Sequence, residues 1–172
     1  MYKVKGKPWA YSGAIDVSDC ATAKEVMLKA GLNFNVAKCE LVGKMPIKLT
    51  GTDEELDRII KEQKEGAHVF GTDIYRKCDN AFATYRTDYN IPLGVVKSKY
   101  TIVQNNDAFN FFDGAIGKNS AIWQTAGFWG NGERIFVSAK LPNNILVKGD
   151  PVENYLVFTN THDGSGGVKI LF

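Results

Sequence analysis

The densest grouping of chemically capable side chains is Thr159-Asn160-Thr161-His162-Asp163-Gly164-Ser165-Gly166-Gly167, near the C-terminal end. An imidazole beside a carboxylate can serve as a general base, or supply one ligand to a metal. Adjacent residues of an extended strand point to opposite faces, so His162 and Asp163 cooperate only where a turn brings them together. The competing reading is a loop in which Asn, Asp and Gly satisfy turn geometry while His162 caps backbone groups. His162 and Asp163 are the candidate catalytic pair on this reading, for general-base or metal-dependent chemistry.

The glycines of that cluster do not make a phosphate loop. Gly164-Ser165-Gly166-Gly167 lacks the Lys-Ser/Thr ending of a Walker motif, and an apolar strand pattern follows it instead of a helix. The dinucleotide fingerprint and the hydrolase nucleophile elbow are also missing, so no cofactor is expected. Asp107 and Asp113 fall on different faces of one predicted helix. Asp73, Asp79, Asp88 and Asp163 form an oxygen-ligand metal site only if the fold gathers them. Cys20, Cys39 and Cys78 form no Cys-x-x-Cys pair, and His68 and His162 stand apart from them. They read as buried or partly buried free thiols of a reducing compartment, and no metal is expected.

A second type of chemistry is stacking and charge. Tyr75, Arg76, Lys77, Tyr85, Arg86, Tyr89, Lys97, Lys99 and Tyr100 interleave aromatic and cationic side chains. On one sheet face such residues stack bases and neutralise the phosphates of a single strand. Tyr85, Arg86, Lys97, Lys99 and Tyr100 are the candidate nucleic-acid-binding set. The plainer reading makes the tyrosines cross-strand packing pairs and the lysines guards of strand edges.

These residues need elements to hold them. Thr22-Ala23-Lys24-Glu25 is a capping box, and Ala23, Val26, Met27 and Ala30 follow at helical spacing up to Gly31, predicting a helix over about 20–30. Leu32, Phe34 and Val36 alternate with Asn33, Asn35 and Ala37 as on a half-buried strand. A second box, Thr52-Asp53-Glu54-Glu55, opens an acidic helix over about 53–65, a surface insertion spanning about 50–68. Ala81–Arg86 and Pro92–Val96 read as a hairpin around Thr87-Asp88-Tyr89-Asn90. Tyr100–Gln104 reads as extended, and Asn105-Asn106 caps a helix whose face is Ala108, Phe109, Phe112 and Ile116. Ala121–Trp129 and Arg134–Leu141 flank Gly130-Asn131-Gly132, the clearest hairpin signal, and Tyr155–Thr159 with Val168–Phe172 make a last pair. The expected fold is α+β, a single domain over 1–172: a mainly antiparallel, twisted sheet of hairpins with two or three helices packed on it.

Composition sets outer limits. The chain has 172 residues, 44% hydrophobic and 23% charged, which supplies a core and excludes disorder. No run of about 18 apolar residues is present for a membrane span, and no secretory signal is readable, so a cytoplasmic protein without membrane contact is expected. The net charge of +2 does not mark a nucleic-acid binder, but it divides unevenly: residues 52–65 carry six acidic against three basic side chains, while 73–100 carry five basic against three acidic. Val168-Lys169-Ile170-Leu171-Phe172 ends inside an apolar strand. That reads as an incomplete C-terminus, or as a strand completed by a second copy or a partner protein.

An ordered set of short pieces resembles the phage/plasmid-like protein family, a domain of unknown function, number 932. The pieces are Trp9, Ala30-Gly31-Leu32, Ala83–Asp88, Leu93–Val96, Tyr100–Asn105, Ala108-Phe109, Thr125-Ala126-Gly127, Gly132–Val137 and Tyr155–Ser165. They leave out about 39–79. The resemblance implies a mobile genetic element in a bacterial host cell, and it adds weight to His162 and Asp163, but it carries no agreed catalytic residues. The leading expectation is a non-enzymatic DNA-associated protein binding single-stranded DNA in replication or recombination. The alternatives are a metal-dependent enzyme centred on His162 and Asp163, or an interaction module such as a host-defence antagonist.

Overall fold

A computed structural model describes residues 13–46, 52–70, 73–117 and 121–171. In chain order the elements are β1 (Ala14–Asp16), α1 (Ala23–Lys29), β2 (Val36–Pro46), α2 (Asp53–Lys64), β3 (His68–Phe70), β4 (Asp73–Arg86) and β5 (Ile91–Lys97). Then follow α3 (Asn105–Gly117), β6 (Ile122–Trp129), β7 (Arg134–Lys140), β8 (Ile145–Val147), β9 (Asp150–Val152), β10 (Tyr155–Thr161) and β11 (Lys169–Leu171). The class is α+β, with every described strand pairing antiparallel.

The strands divide between two main sheets. The first runs β1-β6-β7-β10-β11; in the second, β4 is flanked by β2 on one side and by β3 and β5 on the other. A separate hairpin joins β8 and β9. α1 packs against α3 and β6. The two helices cover the face of the first sheet that carries Ile135, Val137, Ala139 and Phe158. Phe109 and Phe112 of α3 interlock there with Trp123 and Phe158, ring centroids 5.6–6.4 Å apart. Aromatic contacts of this kind add about 0.5–1.5 kcal/mol each to the area they bury. Much of the aromatic surplus is therefore core.

Local rules account for the element ends. Both halves of the Thr22/Glu25 capping box form. At α2 the Thr52 side chain makes no capping bond, and the Glu55 N–H goes to the Thr52 carbonyl. Leu32, Phe34 and Val36 are buried while Asn33 and Asn35 are exposed, as the alternation predicted, yet the hydrogen-bonded strand starts only at Val36. Ahead of Val36 a side chain stands in for a neighbouring strand: the Asn105 amide donates to the Leu32 and Phe34 carbonyls at 3.0 and 3.4 Å, and at Val36 the Gln104 side chain accepts from the N–H at 3.0 Å and donates to the carbonyl at 2.8 Å. Residues 100–104 lie outside any helix or strand. Asn105, expected to cap α3, instead turns its side chain inward.

The distal halves of β2 and β4, with β3 and α2, form an arm. Its own core is Ala67 and Ile74, with Ile59 of α2 against them. Arg76 pairs with Glu62 and Glu65, and fixes α2 to the ribbon. α2 thus packs on β3 and β4, and no described residue of it belongs to the main core. Among the described residues no helix is long and apolar enough to cross a membrane.

Candidate functional site

The backbone of His162 is held by both sheets. Its N–H donates to the Glu133 carbonyl at 2.7 Å, and its carbonyl accepts from the Thr84 hydroxyl at 2.6 Å. Its ring is wholly buried. The Asn105 amide nitrogen donates to the carbonyls of Leu32 and Phe34, so the Asn105 oxygen faces His162 Nε2 at 2.8 Å and can only accept. His162 therefore carries its proton on Nε2. The remaining lone pair, on Nδ1, has no hydrogen-bond partner among the described residues. Burial pushes the imidazole pKa down to about 4, against a smaller opposing pull from the Asp163 charge.

Asp163 does not join His162 in a site. Burial opposes its ionisation, but hydrogen bonds from Ser165 and the charge of Arg134 outweigh that and hold the carboxyl below its usual value. Its oxygens meet the Ser165 N–H at 2.8 Å and Arg134 Nε at 3.6 Å. The Asp-Gly-Ser-Gly sequence here behaves as a turn. The other carboxylates are dispersed: Asp73 pairs with Lys44 at 2.9 Å and Asp88 with Arg86 at 2.7 Å. Among the described residues no three His, Cys, Asp or Glu side chains are grouped to hold a metal ion. Cys20 and Cys78 are half-buried as expected, but Cys39 is exposed, because it lies on the uncovered face of β2.

The five residues expected to contact a strand are not gathered on one surface. Arg86 is buried: its guanidinium lies 3.9 Å from the Phe34 ring centre, forks onto Asp88, and donates to the Asn131 carbonyl at 2.8 Å. Tyr100 is half-buried and donates its hydroxyl to the Thr161 carbonyl at 2.7 Å, and burial raises its pKa. Both residues join the sheets to each other. Tyr85 and Lys97 share the outer face of the second sheet, in the rows Ala37–Tyr85–Pro92 and Ala81–Lys97. Lys99 is exposed in the turn after β5.

A different surface combines an exposed aromatic with cations. On the first sheet, Trp129, Arg134 and Thr161 stand directly opposite one another across β6, β7 and β10. One row along, Phe136 and Thr159 lead to Lys169 on β11. Alternation puts both rows on the face away from α1 and α3, about 7 Å apart. Trp129 is 41% exposed and leans on Phe136, centroids 5.0 Å apart. The Gly164–Gly167 turn borders this area, and Arg134 donates to the Ser165 hydroxyl at 3.2 Å. Two adjoining hollows of about 260 Å³ each share Trp129 and Arg134. The Thr161 hydroxyl, which borders the second, is buried and has no hydrogen-bond partner among the described residues. Sequence reasoning missed this set because its members come from four separate strands. The signal was present in the hairpin around Gly130-Asn131-Gly132, which places Trp129 opposite Arg134.

Comparison with known proteins adds one match. Residues 92–172, slightly under half of the chain, match a family model described as a domain of unknown function, DUF932. The match runs from β5 to the end of β11 and takes in Trp129, Arg134, Thr161, His162 and Lys169. Trp9, Ala30-Gly31-Leu32 and Ala83–Asp88, three pieces of the expected resemblance, fall outside it, and Trp9 also lies outside the described residues. No curated protein matches the chain, and no solved structure does.

Proposed function

We propose that this protein binds single-stranded nucleic acid on the outer face of its first sheet, without chemistry on the strand. The observation that carries the reading is the row Trp129–Arg134–Thr161 with Lys169 beside it. An exposed indole offers a stacking surface that accepts any base, and flanking cations meet the phosphates. The hollows beside it supply depth. This moves the interface away from the Tyr/Lys/Arg segment of 75–100, where Arg86 and Tyr100 serve the interior. A setting in replication or recombination on a phage or plasmid accords with the sequence resemblance.

The reading is tested by titrating a fluorescent oligothymidylate with the full chain across a salt series. Binding at about 50 mM salt is expected, weakening as salt rises. Trp129→Ala should cost about 1–3 kcal/mol of binding and leave the fold intact. No binding at about 50 mM salt, or affinity untouched by loss of the indole, overturns it.

A further inference from the structure

We propose that two copies of this chain pair through β8, forming a dimer with a four-stranded ribbon in the order β9, β8, β8, β9. The hairpin of β8 and β9 leaves the far end of β7 from Arg134, about 20 Å along the strand, so it stands clear of the Trp129 face. Its tip is Lys148-Gly149, with φ of 53° and 93°, a two-residue turn suited to a tight hairpin. Every residue of both strands is exposed, and Ile145, Leu146, Val147 and Val152 are each 44–71% exposed. A lone two-stranded ribbon is marginal in water and gains stability from a further strand.

The two edges of the ribbon differ. The tight turn makes Val147 and Asp150 a hydrogen-bonded pair, so the next pair, Leu146 and Pro151, directs its backbone groups outward. Pro151 has no N–H to offer there and Asp150 adds a charge, so the β9 edge is guarded. Leu146 turns an N–H and a carbonyl to the open side of β8, a strand with neither charge nor proline. By contrast β1, β2, β5 and β11 carry Asp16, Lys44, Lys97 and Lys169. The occupant that fits is β8 of a second copy. An antiparallel pair about a two-fold axis at Leu146 exchanges two hydrogen bonds between the two Leu146 residues and sets Ile145 opposite Val147 twice. Lys148 then meets Asn144 of the second copy, so no like charges face each other. A polyanion fits less well, because Asp150 offsets Lys148. Three residues in each of the two strands bury less than the roughly 1,200 Å² of a stable interface, so the dimer is weak.

Sedimentation velocity of the full chain over about 1–500 μM tests this, with a monomer–dimer Kd of about 10–100 μM expected. Leu146→Lys should weaken the dimer at least about tenfold with an unchanged melting temperature, since the side chain is 71% exposed. Cross-linking reads the register. In a Cys39→Ala background, Leu146→Cys should give a disulfide-linked dimer under mild oxidation, because its two Cα atoms lie about 5.5 Å apart, whereas Ile145→Cys should not. Trp129→Ala should dimerise like the unaltered chain, which separates this edge from the strand-binding surface. A chain monomeric at about 500 μM, a dimer that survives Leu146→Lys, or equal cross-linking at the two positions each overturns the proposal. A monomer whose oligothymidylate affinity falls with Leu146→Lys also overturns it, and gives the hairpin to the nucleic acid instead.

Discussion

His162 and Arg86 show what burial does to residues that look reactive in a sequence. A histidine that serves as a base needs solvent or substrate at one nitrogen and a pKa near the working pH. His162 has neither: its ring is sealed, Nε2–H is committed to Asn105, and its pKa is about 4. The consequence is an acid-sensitive fold. In the unfolded chain the imidazole takes up a proton near pH 6.5, whereas in the folded chain it resists until about pH 4. Between those values the unfolded state binds more protons, so stability is full above about pH 6.5 and falls as the pH drops towards 4. The loss from this one group is on the order of 3 kcal/mol. Chemical denaturation at pH 7.5 and pH 4.5 should show the decline. His162→Leu should be less stable at pH 7.5 by about 1–3 kcal/mol, because Asn105 loses its partner, and should show a flatter pH profile. A profile unchanged by the substitution refutes the assignment. Arg86 makes the related point for a cation: its charge is neutralised by Asp88 and covered by Phe34, so it is withheld from any ligand.

The elements are joined by close backbone crossings that only glycine permits. Gly94 of β5 lies against the backbone of Asp163, and a Cβ built there would come within 2.5 Å of the Asp163 Cα and carbonyl oxygen. Those atoms belong to the chain leaving β10, so the contact sets how the two sheets meet. Gly94→Ala should cost about 3 kcal/mol, lowering the melting temperature by about 6–12 °C. Gly114 in α3 is the control: a Cβ there meets nothing within 4 Å, so Gly114→Ala should stabilise by about 0.5–1 kcal/mol. Differential scanning calorimetry of both variants checks the pair, and equal shifts refute the crossing argument. Neither effect is visible in a sequence, where both glycines look alike. What was legible there was local: the Thr22 capping box, the turn around Gly130-Asn131-Gly132, the apolar face of Ala108, Phe109 and Phe112. Those signals depend on neighbours a few residues away. The division into two sheets, the Gln104 side chain completing Val36, and the inward turn of Asn105 depend on residues about 70 positions apart, and periodicity carries no trace of them.

At the scale of the molecule, the near-balance of charge conceals a segregation of roles. The acidic helix α2 sits on its arm with Arg76 neutralising part of it, and Lys29, Lys44, Lys77 and Lys140 are each paired with a carboxylate. Lys169 has no carboxylate partner among the described residues, and Arg134 is held by Asp163 only at 3.6 Å. Of the cations without a close carboxylate partner among the described residues, Arg134 and Lys169 are the two that flank Trp129, while Lys97 and Lys99 lie at the second sheet. A strand crossing the Trp129 face exchanges about two counterions for protein contacts, so log K should fall against log salt with a slope near −1.4. Between 50 and 200 mM salt this is a loss of about sevenfold. Lys169→Glu removes one of the two contacts and should reduce the slope to about −0.7, with weaker binding at every salt concentration. Lys97→Glu, on the outer face of the other sheet, should leave both slope and affinity as they are. Oligonucleotide titrations of the two variants over that range decide between the faces: a slope altered by Lys97→Glu and not by Lys169→Glu would return the interface to the second sheet.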